Sequence, residues 1–139
     1  MKIELEPIDS LSQETLAGLF NSIFPETAIH WDIQKEVEKS FEDLEEECSA
    51  VAWKGDKPIG AIICVNRNGL QIDHVGVLQN NRRMGIGRML IRYAIDNADR
   101  DIKGLVPKDN QAVMELMEEE GFQRVEERED CYLYRIEID

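Results

Sequence analysis

Positive charge is in short supply in this chain. Its 139 residues carry 16 lysines and arginines against 29 aspartates and glutamates, a formal net charge of −13. That balance argues against a nucleic-acid partner, whose binding rests on a basic face that displaces counterions. It is compatible with a cationic partner such as an amine, besides the ordinary service of acidic surfaces to solubility. Cysteine is sparse too: Cys48, Cys64 and Cys131 form no C-x-x-C pair, and His30 and His74 stand isolated. No metal is expected, because closely spaced soft ligands are missing. The thiols read as reduced, in a cytoplasmic compartment. Long hydrophobic runs are also lacking. The opening "MKIELEPIDS" has no apolar signal core, and the longest wholly apolar run, "AIICV", is far too short to cross a bilayer, so no membrane association is expected. Repeats, low-complexity tracts and linkers are absent, which leaves residues 1–139 as one expected domain, of a size that builds an ordinary core without staples.

What is present is patterned. "KIELEPI" alternates, with Ile3 and Leu5 on one side and Glu4 and Glu6 on the other, the period of a half-buried strand closed by Pro7. Ser10 with Gln13 resembles a capping box, followed by Leu16, Leu19, Phe20 and Ile23 at helical spacing until Pro25. A second helix is expected after Asp32, with Ile33, Val37, Phe41 and Leu44 as its apolar stripe. From Ser49 the period shortens: "SAVAW" and "KPIGAIICVNR" flank the turn Gly55-Asp56, and "LQIDHVGVL" adds a third strand. A glycine loop leads into a helix whose apolar face holds Leu90, Ile91, Ala94 and Ile95. "IKGLV" reads as a short strand, "NQAVMELMEEEG" as a helix capped by Gly121, and "FQRVEE" and "CYLYRIEI" as two closing strands. The order β-α-α-β-β-β-α-β-α-β-β predicts a three-layer α/β or α+β sheet, with local antiparallel pairing and at least one parallel crossover.

The segment "QNNRRMGIGRMLI", residues 79–91, carries the chemistry. A strand, a glycine turn and a helix gather unpaired backbone N–H groups at one point, where the helix dipole adds positive charge. Gly85 and Gly87 allow close approach, and Arg82, Arg83, Arg88 and Arg92 supply cations in an otherwise acidic chain. The natural guest is a phosphate or pyrophosphate. A dinucleotide fingerprint fails because Leu90 stands at the third glycine, and no Walker A sequence exists.

Arg82-x-x-Gly85-x-Gly87 after the strand "HVGVL" resembles the acetyl-CoA-binding motif of the GNAT superfamily of N-acetyltransferases. The later "NQAVMELMEEEGF" is similar to that family's second signature at Asn110, Leu116, Glu118, Gly121 and Phe122, and departs from it at Val113 and Met117. The resemblance, which spans nearly the whole chain, implies a mostly antiparallel mixed sheet whose central parallel pair is splayed around the cofactor. It implies acetyl-CoA as co-substrate and transfer to the amine of a small molecule or protein, by direct attack in a ternary complex. On this reading Val75 and Val77 offer backbone groups to the pantetheine arm, and the Val77 N–H polarises the thioester carbonyl. Amides of Arg82, Arg83, Met84, Gly85, Ile86, Gly87 and Arg88 hold the pyrophosphate, and Asn110 either touches the cofactor or caps its helix.

The family's usual base positions are Asp73 and Gln71. Asp73 is expected as base or water-orienting group, with His74 of better intrinsic pKa but on the opposite side of an unbulged strand. Met117 stands where the family often has a proton-donating tyrosine; Tyr93, Tyr132 and Tyr134 are conceivable substitutes. Phe24, His30 and Trp31 either wall an amine pocket or belong to the core. The run Glu118–Glu120 reads as a solvated face. "CYLYRIEI" suits either a covered sheet or a homodimer contact. The rival to an enzyme is a regulatory module of the same fold that binds CoA with little or no catalysis; a third reading is an unrelated phosphate- or nucleotide-binding α/β protein.

Overall fold

Alternation and helical periodicity translate almost element for element into structure. The computed structural model describes residues 2–25 and 32–138. The order is β1 (Ile3–Pro7), α1 (Gln13–Ile23), α2 (Ile33–Glu42), β2 (Ala50–Lys54), β3 (Lys57–Asn66), β4 (Leu70–Val77), α3 (Ile86–Asn97), β5 (Ile102–Pro107), α4 (Gln111–Glu119), β6 (Gln123–Glu127) and β7 (Cys131–Ile136). The strands form one sheet in the order β1-β2-β3-β4-β5-β7-β6. All neighbours run antiparallel except β4 and β5, joined in parallel through the crossover helix α3. Among the described residues no helix is long and apolar enough to cross a membrane.

Two hydrophobic clusters sandwich the sheet. On one face Leu16, Phe20, Ile23 and Val37 of α1 and α2 meet Val51, Ala61, Ile63 and Val65. On the other, Ile86, Leu90 and Ile91 of α3 and Met114 and Met117 of α4 meet Ala50, Ala52, Ile62, Cys64 and Ile72. Strand β3 sits centrally, so its successive residues feed opposite layers, and it reads as a continuous apolar run rather than an alternating one.

Local sequence signals mostly hold. Asp32 caps α2 by accepting from the Lys35 N–H, and Gly121 takes φ +101° just after α4. Two details differ. Ser12, not Ser10, caps α1 by accepting from the Thr15 N–H, while Ser10 Oγ accepts the Trp53 indole N–H at 3.2 Å. Leu44 lies beyond the end of α2 and bridges Val65 of β3.

The end of α1 lies directly against β4. A Cβ on Gly76 would stand 2.6 Å from Ile23 Cγ2 and 3.0 Å from Phe24 Cζ, so that strand position must be bare. Gly18, on the outer side of α1, has nothing within 4 Å of a built Cβ. Urea unfolding should show Gly76→Ala destabilising by about 1–3 kcal/mol through overpacking. Gly18→Ala should stabilise by about 0.5–1 kcal/mol through helix propensity and lost unfolded-state freedom.

Candidate functional site

Strands β4 and β5 are neighbours for only three residue pairs, Leu70–Ile102, Gln71–Lys103 and Ile72–Gly104. A bulge accompanies the end of this pairing. On β4, His74 faces Ile63 and Ile72 faces Cys64, which leaves Asp73 as an extra residue with no partner on β3. The Leu78 N–H donates to the Ile59 carbonyl, which sets the phase of the ladder between Leu78 and the bulge. In an antiparallel pair, alternate residues turn their backbone groups to the same neighbour. His74, Gly76 and Leu78 therefore face β3, whereas Val75 and Val77 turn their amides toward the gap where β5 has departed. The gap is the mouth of a cleft of about 450 Å³, bordered by Ile72, His74 and Val75 on one side and by Leu105, Val106 and Met117 on the other.

At one end of β4 the chain enters the glycine loop. Arg83 and Gly85 adopt left-handed torsions, φ +69° and +76°, which turn the loop into α3. No side chain caps this helix. The amides of Arg83, Met84, Gly85, Ile86, Gly87 and Arg88 have no acceptor among the described residues, the first intrahelical bond being Met89 N–H to the Gly85 carbonyl. The two glycines serve different needs: Gly85 supplies the torsion, whereas a Cβ on Gly87 would stand 3.0 Å from Leu116 of α4. The Arg82 amide is already bound to the Gln79 carbonyl, and its guanidinium turns back to the carbonyls of Val77 (3.1 Å) and Ile23 (3.3 Å). Arg88 pairs with Glu119, and Glu120 lies within ion-pair distance of Arg88 (3.5 Å) and Arg92 (2.8 Å). Three of the four arginines of the expected cluster are thus neutralised or anchored, which leaves Arg83 and the backbone amides as donors. Glu120 is buried, so the run Glu118–Glu120 is a solvated face only in part. Asn110 borders the cleft and caps α4, its side-chain carbonyl accepting from the Val113 N–H.

The α1–α2 side of the cleft is aromatic and acidic. Phe20 and Phe24 stack with centroids 6.2 Å apart, and Phe20 packs on the His74 ring at 5.7 Å. The Asp73 carboxylate lies 2.5 Å from Ser40 Oγ and 3.1 Å from the Arg67 guanidinium. Its Oδ2 also stands 3.6 Å from His74 Nε2. Asp73 and His74 therefore reach the same side, contrary to simple alternation, because the bulge at Asp73 interrupts the alternation between Ile72 and His74. Nε2 is sealed from solvent with no hydrogen-bond partner among the described residues. Burial lowers the His74 pKa below 6.5 against the opposing pull of Asp73 and Glu36, with Arg67 adding to the lowering. Phe24 lines the cleft as expected; His30 and Trp31 lie outside the described residues.

Glu36, Ser40 and Arg67 escaped the sequence reading, although one signal was there. Ser40 continues the stripe of Ile33 and Val37 on α2, and a serine on a buried stripe needs a polar partner across the interface. Met117 is buried against Gly104 and borders the cleft, while Tyr93, Tyr132 and Tyr134 do not border it. Tyr134 instead holds Glu118 at 2.6 Å, and Tyr132 lies beneath Arg124. Cys131 does line the cleft.

A sequence model of the acetyltransferase (GNAT) family matches residues 14–122. No curated protein sequence matches the chain significantly. Among solved structures, PH1933 from Pyrococcus horikoshii OT3 is 20% identical, with 99% of both chains covered and a TM-score of 0.85. Arabidopsis thaliana Naa50 in complex with the bisubstrate analogue CoA-Ac-MVNAL is 21% identical, over 99% of this chain and 100% of that one, with a TM-score of 0.79. The paia N-acetyltransferase of Thermoplasma acidophilum in complex with coenzyme A is 15% identical over 99% of both chains, with a TM-score of 0.74. At these identities the likeness is one of fold.

The three thiols differ in environment. Burial pushes Cys48 up to about 11 and Cys64 higher still, whereas Cys131 is only half buried. Since the thiolate is the reactive form, titration of the native protein with Ellman's reagent should show one fast thiol, lost in Cys131→Ser. Fast reaction of all three would mean that the β2–β3 core opens far more readily than this packing allows.

Proposed function

The chain belongs to the acetyltransferase (GNAT) family, and from that premise we propose that it transfers an acetyl group from acetyl-CoA to the amine of a small molecule or a protein, by direct attack in a ternary complex. The observation that carries this reading is the unpaired edge of β4 beyond Ile72. It opens at one end onto free amides and at its middle onto a half-buried imidazole. The residues fit an extended, amide-bearing, pyrophosphate-containing ligand. Amides of residues 83–88 offer donors to the diphosphate at the positive end of α3. Val75, through its backbone, and the Val77 N–H are donors and acceptors for an inserted strand-like arm. The Val77 carbonyl is taken by Arg82, so Val77 contributes its N–H alone, directed at the thioester carbonyl. Asn110 retains its side-chain NH₂ for the ligand while its oxygen caps α4.

Acetyl-CoA supplies the activated acyl group; proton handling falls to the chain. An ammonium must lose a proton before it attacks, and a half-buried imidazole of lowered pKa is suited to accept it. His74 borders the cleft and accepts the proton there, and the Asp73 carboxylate beside Nε2 stabilises the imidazolium that forms. Ser40 and Arg67 hold Asp73 in place. No tyrosine borders the described part of the cleft, and Met117 has no proton to give. The departing thiol has a pKa near 8.5, so it leaves as thiolate at a cost of about 10²–10⁴-fold relative to an acid-assisted reaction. That same feature favours a second reading, a CoA-binding module with little catalysis.

Calorimetry should detect binding of acetyl-CoA and CoA but not NAD; absence of binding by both CoA species would sink the family-based function. A thiol-release assay over a panel of amines separates enzyme from silent binder. His74→Ala should lower kcat by about 10²–10⁴-fold. The acidic limb of kcat should lie below pH ~6.5, because burial holds His74 neutral there and activity is lost only once it protonates. Asp73→Asn should move that limb lower, since it removes a charge that raises the His74 pKa. A limb unmoved by both substitutions would rule out this base.

A further inference from the structure

The cleft is electrostatically one-sided beyond the reach of the glycine loop. Glu36, Asp73 and Asp109 all border it, and no lysine or arginine does among the described residues. The six residues 26–31, "ETAIHW", contain neither type. Of the three carboxylates only Asp73 has a cationic partner, Arg67; Glu36 and Asp109 form no ion pair among the described residues. His74 is held neutral by burial and offers no compensating charge. A substrate bearing its own carboxylate would enter this space against uncompensated like charge.

The positions of the acids are as informative as their number. Ser40 on α2 touches Asp73, which adjoins His74, so the reacting amine belongs near that end of α2. Glu36 lies one turn earlier, about 5–6 Å from Ser40 along the helix surface. The Glu36 carboxylate acts on the His74 ring and opposes the lowering of its pKa, so it lies within electrostatic reach of the same end of the cleft. The apolar wall on this side is Phe20, Phe24, Ile33 and Val37, with Phe20 packed on the His74 ring. This side of the cleft thus presents a base, an apolar wall and a carboxylate with no ion pair among the described residues.

We infer that the acceptor is a diamine or polyamine, whose reacting amine lies at His74, whose methylenes lie along the aromatic wall, and whose second ammonium pairs with Glu36. This inference rests on the acetyltransferase reading above and names its substrate class. It distinguishes such acceptors from free amino acids, which carry a carboxylate, and from monoamines, which leave Glu36 unpaired. A charge-assisted hydrogen bond at a partly enclosed site is worth about 10- to 100-fold in affinity.

The test is a comparison of diaminopropane, putrescine and cadaverine with butylamine and with a peptide bearing a free amino terminus, in the wild type, Glu36→Gln and a charge control, Glu14→Gln, on the exposed surface of α1. At least one diamine should exceed butylamine in kcat/KM by about 10-fold or more. That ratio should fall about 10-fold in Glu36→Gln and hold in Glu14→Gln. Equal kcat/KM for putrescine and butylamine, a better turnover of the peptide, or an equal fall in both variants would overturn the inference. Calorimetry of putrescine onto the CoA-loaded protein supplies a readout independent of turnover. Binding weakened in Glu36→Gln without any acetyl transfer would uphold the site and defeat the catalytic reading, and absence of putrescine binding would overturn the site itself.

Discussion

The divergence of β4 from β5 after Ile72 is the constraint around which the remaining features are arranged. Strand edges in the middle of a sheet are normally saturated, because an unpaired buried backbone group loses its hydration without compensation. Here the pairing stops after three residue pairs, and a bulge at Asp73 reverses the direction in which the following amides point. Without that extra residue, His74 and Gly76 would turn their backbone groups to the gap, and Val75 and Val77 would turn theirs to β3. The same insertion brings two polar side chains, Asp73 and His74, to one face. A single added residue therefore sets both the edge that can receive an extended ligand and the dyad that stands beside it. The bare backbone at Gly76, which lets α1 press against β4, places Phe24 over the same region.

Charge is distributed along the cleft in two halves. The loop and the start of α3 bring partial positive charge through backbone amides, since most of the nearby arginines are committed to carbonyls or to Glu119 and Glu120. Amide donors are fixed by the fold and lose no side-chain entropy on binding, whereas free arginine heads would have to be ordered. The α2 half is acidic, with Ser40 and Arg67 tying Asp73 down and Glu36 without an ion pair among the described residues. A chain of net charge −13 thus concentrates its anion-binding capacity in one turn of backbone, and leaves the opposite wall suited to cations.

Much of the fold was legible because its signals were local. The hairpin at Gly55-Asp56, the cap at Asp32, the stop at Pro25 and the left-handed Gly121 each follow from residues a few positions apart. The element order and the glycine loop together with "ELMEEEGF" carried the family resemblance. What stayed hidden depended on partners distant in sequence. The bulge arises from pairing of β4 with β3, so the parity of Asp73 and His74 could not be read from alternation alone. The pairing of Arg88 and Arg92 with α4 joins residues about thirty positions apart, and it converts an apparent cationic patch into an interhelical brace. Ser40 was visible only as a polar residue on an apolar stripe, a signal that says a partner exists without saying which. Ser12 rather than Ser10 caps α1, and the Ser10 hydroxyl is held by Trp53, forty-three positions away.

The direct test of the account is whether the amides of Val75 and Val77 are free in the protein alone and engaged with CoA bound. Residue-resolved hydrogen exchange reads both, with the β3-facing amides of Gly76 and Leu78 as internal references in the same strand. The account predicts that Val75 and Val77 exchange much faster than those neighbours in the free protein, and slow by about tenfold or more on saturation with CoA, as expected for gaining one hydrogen bond each. Equal protection of all four amides in the free protein, or exchange at Val75 and Val77 unchanged by CoA, would contradict it.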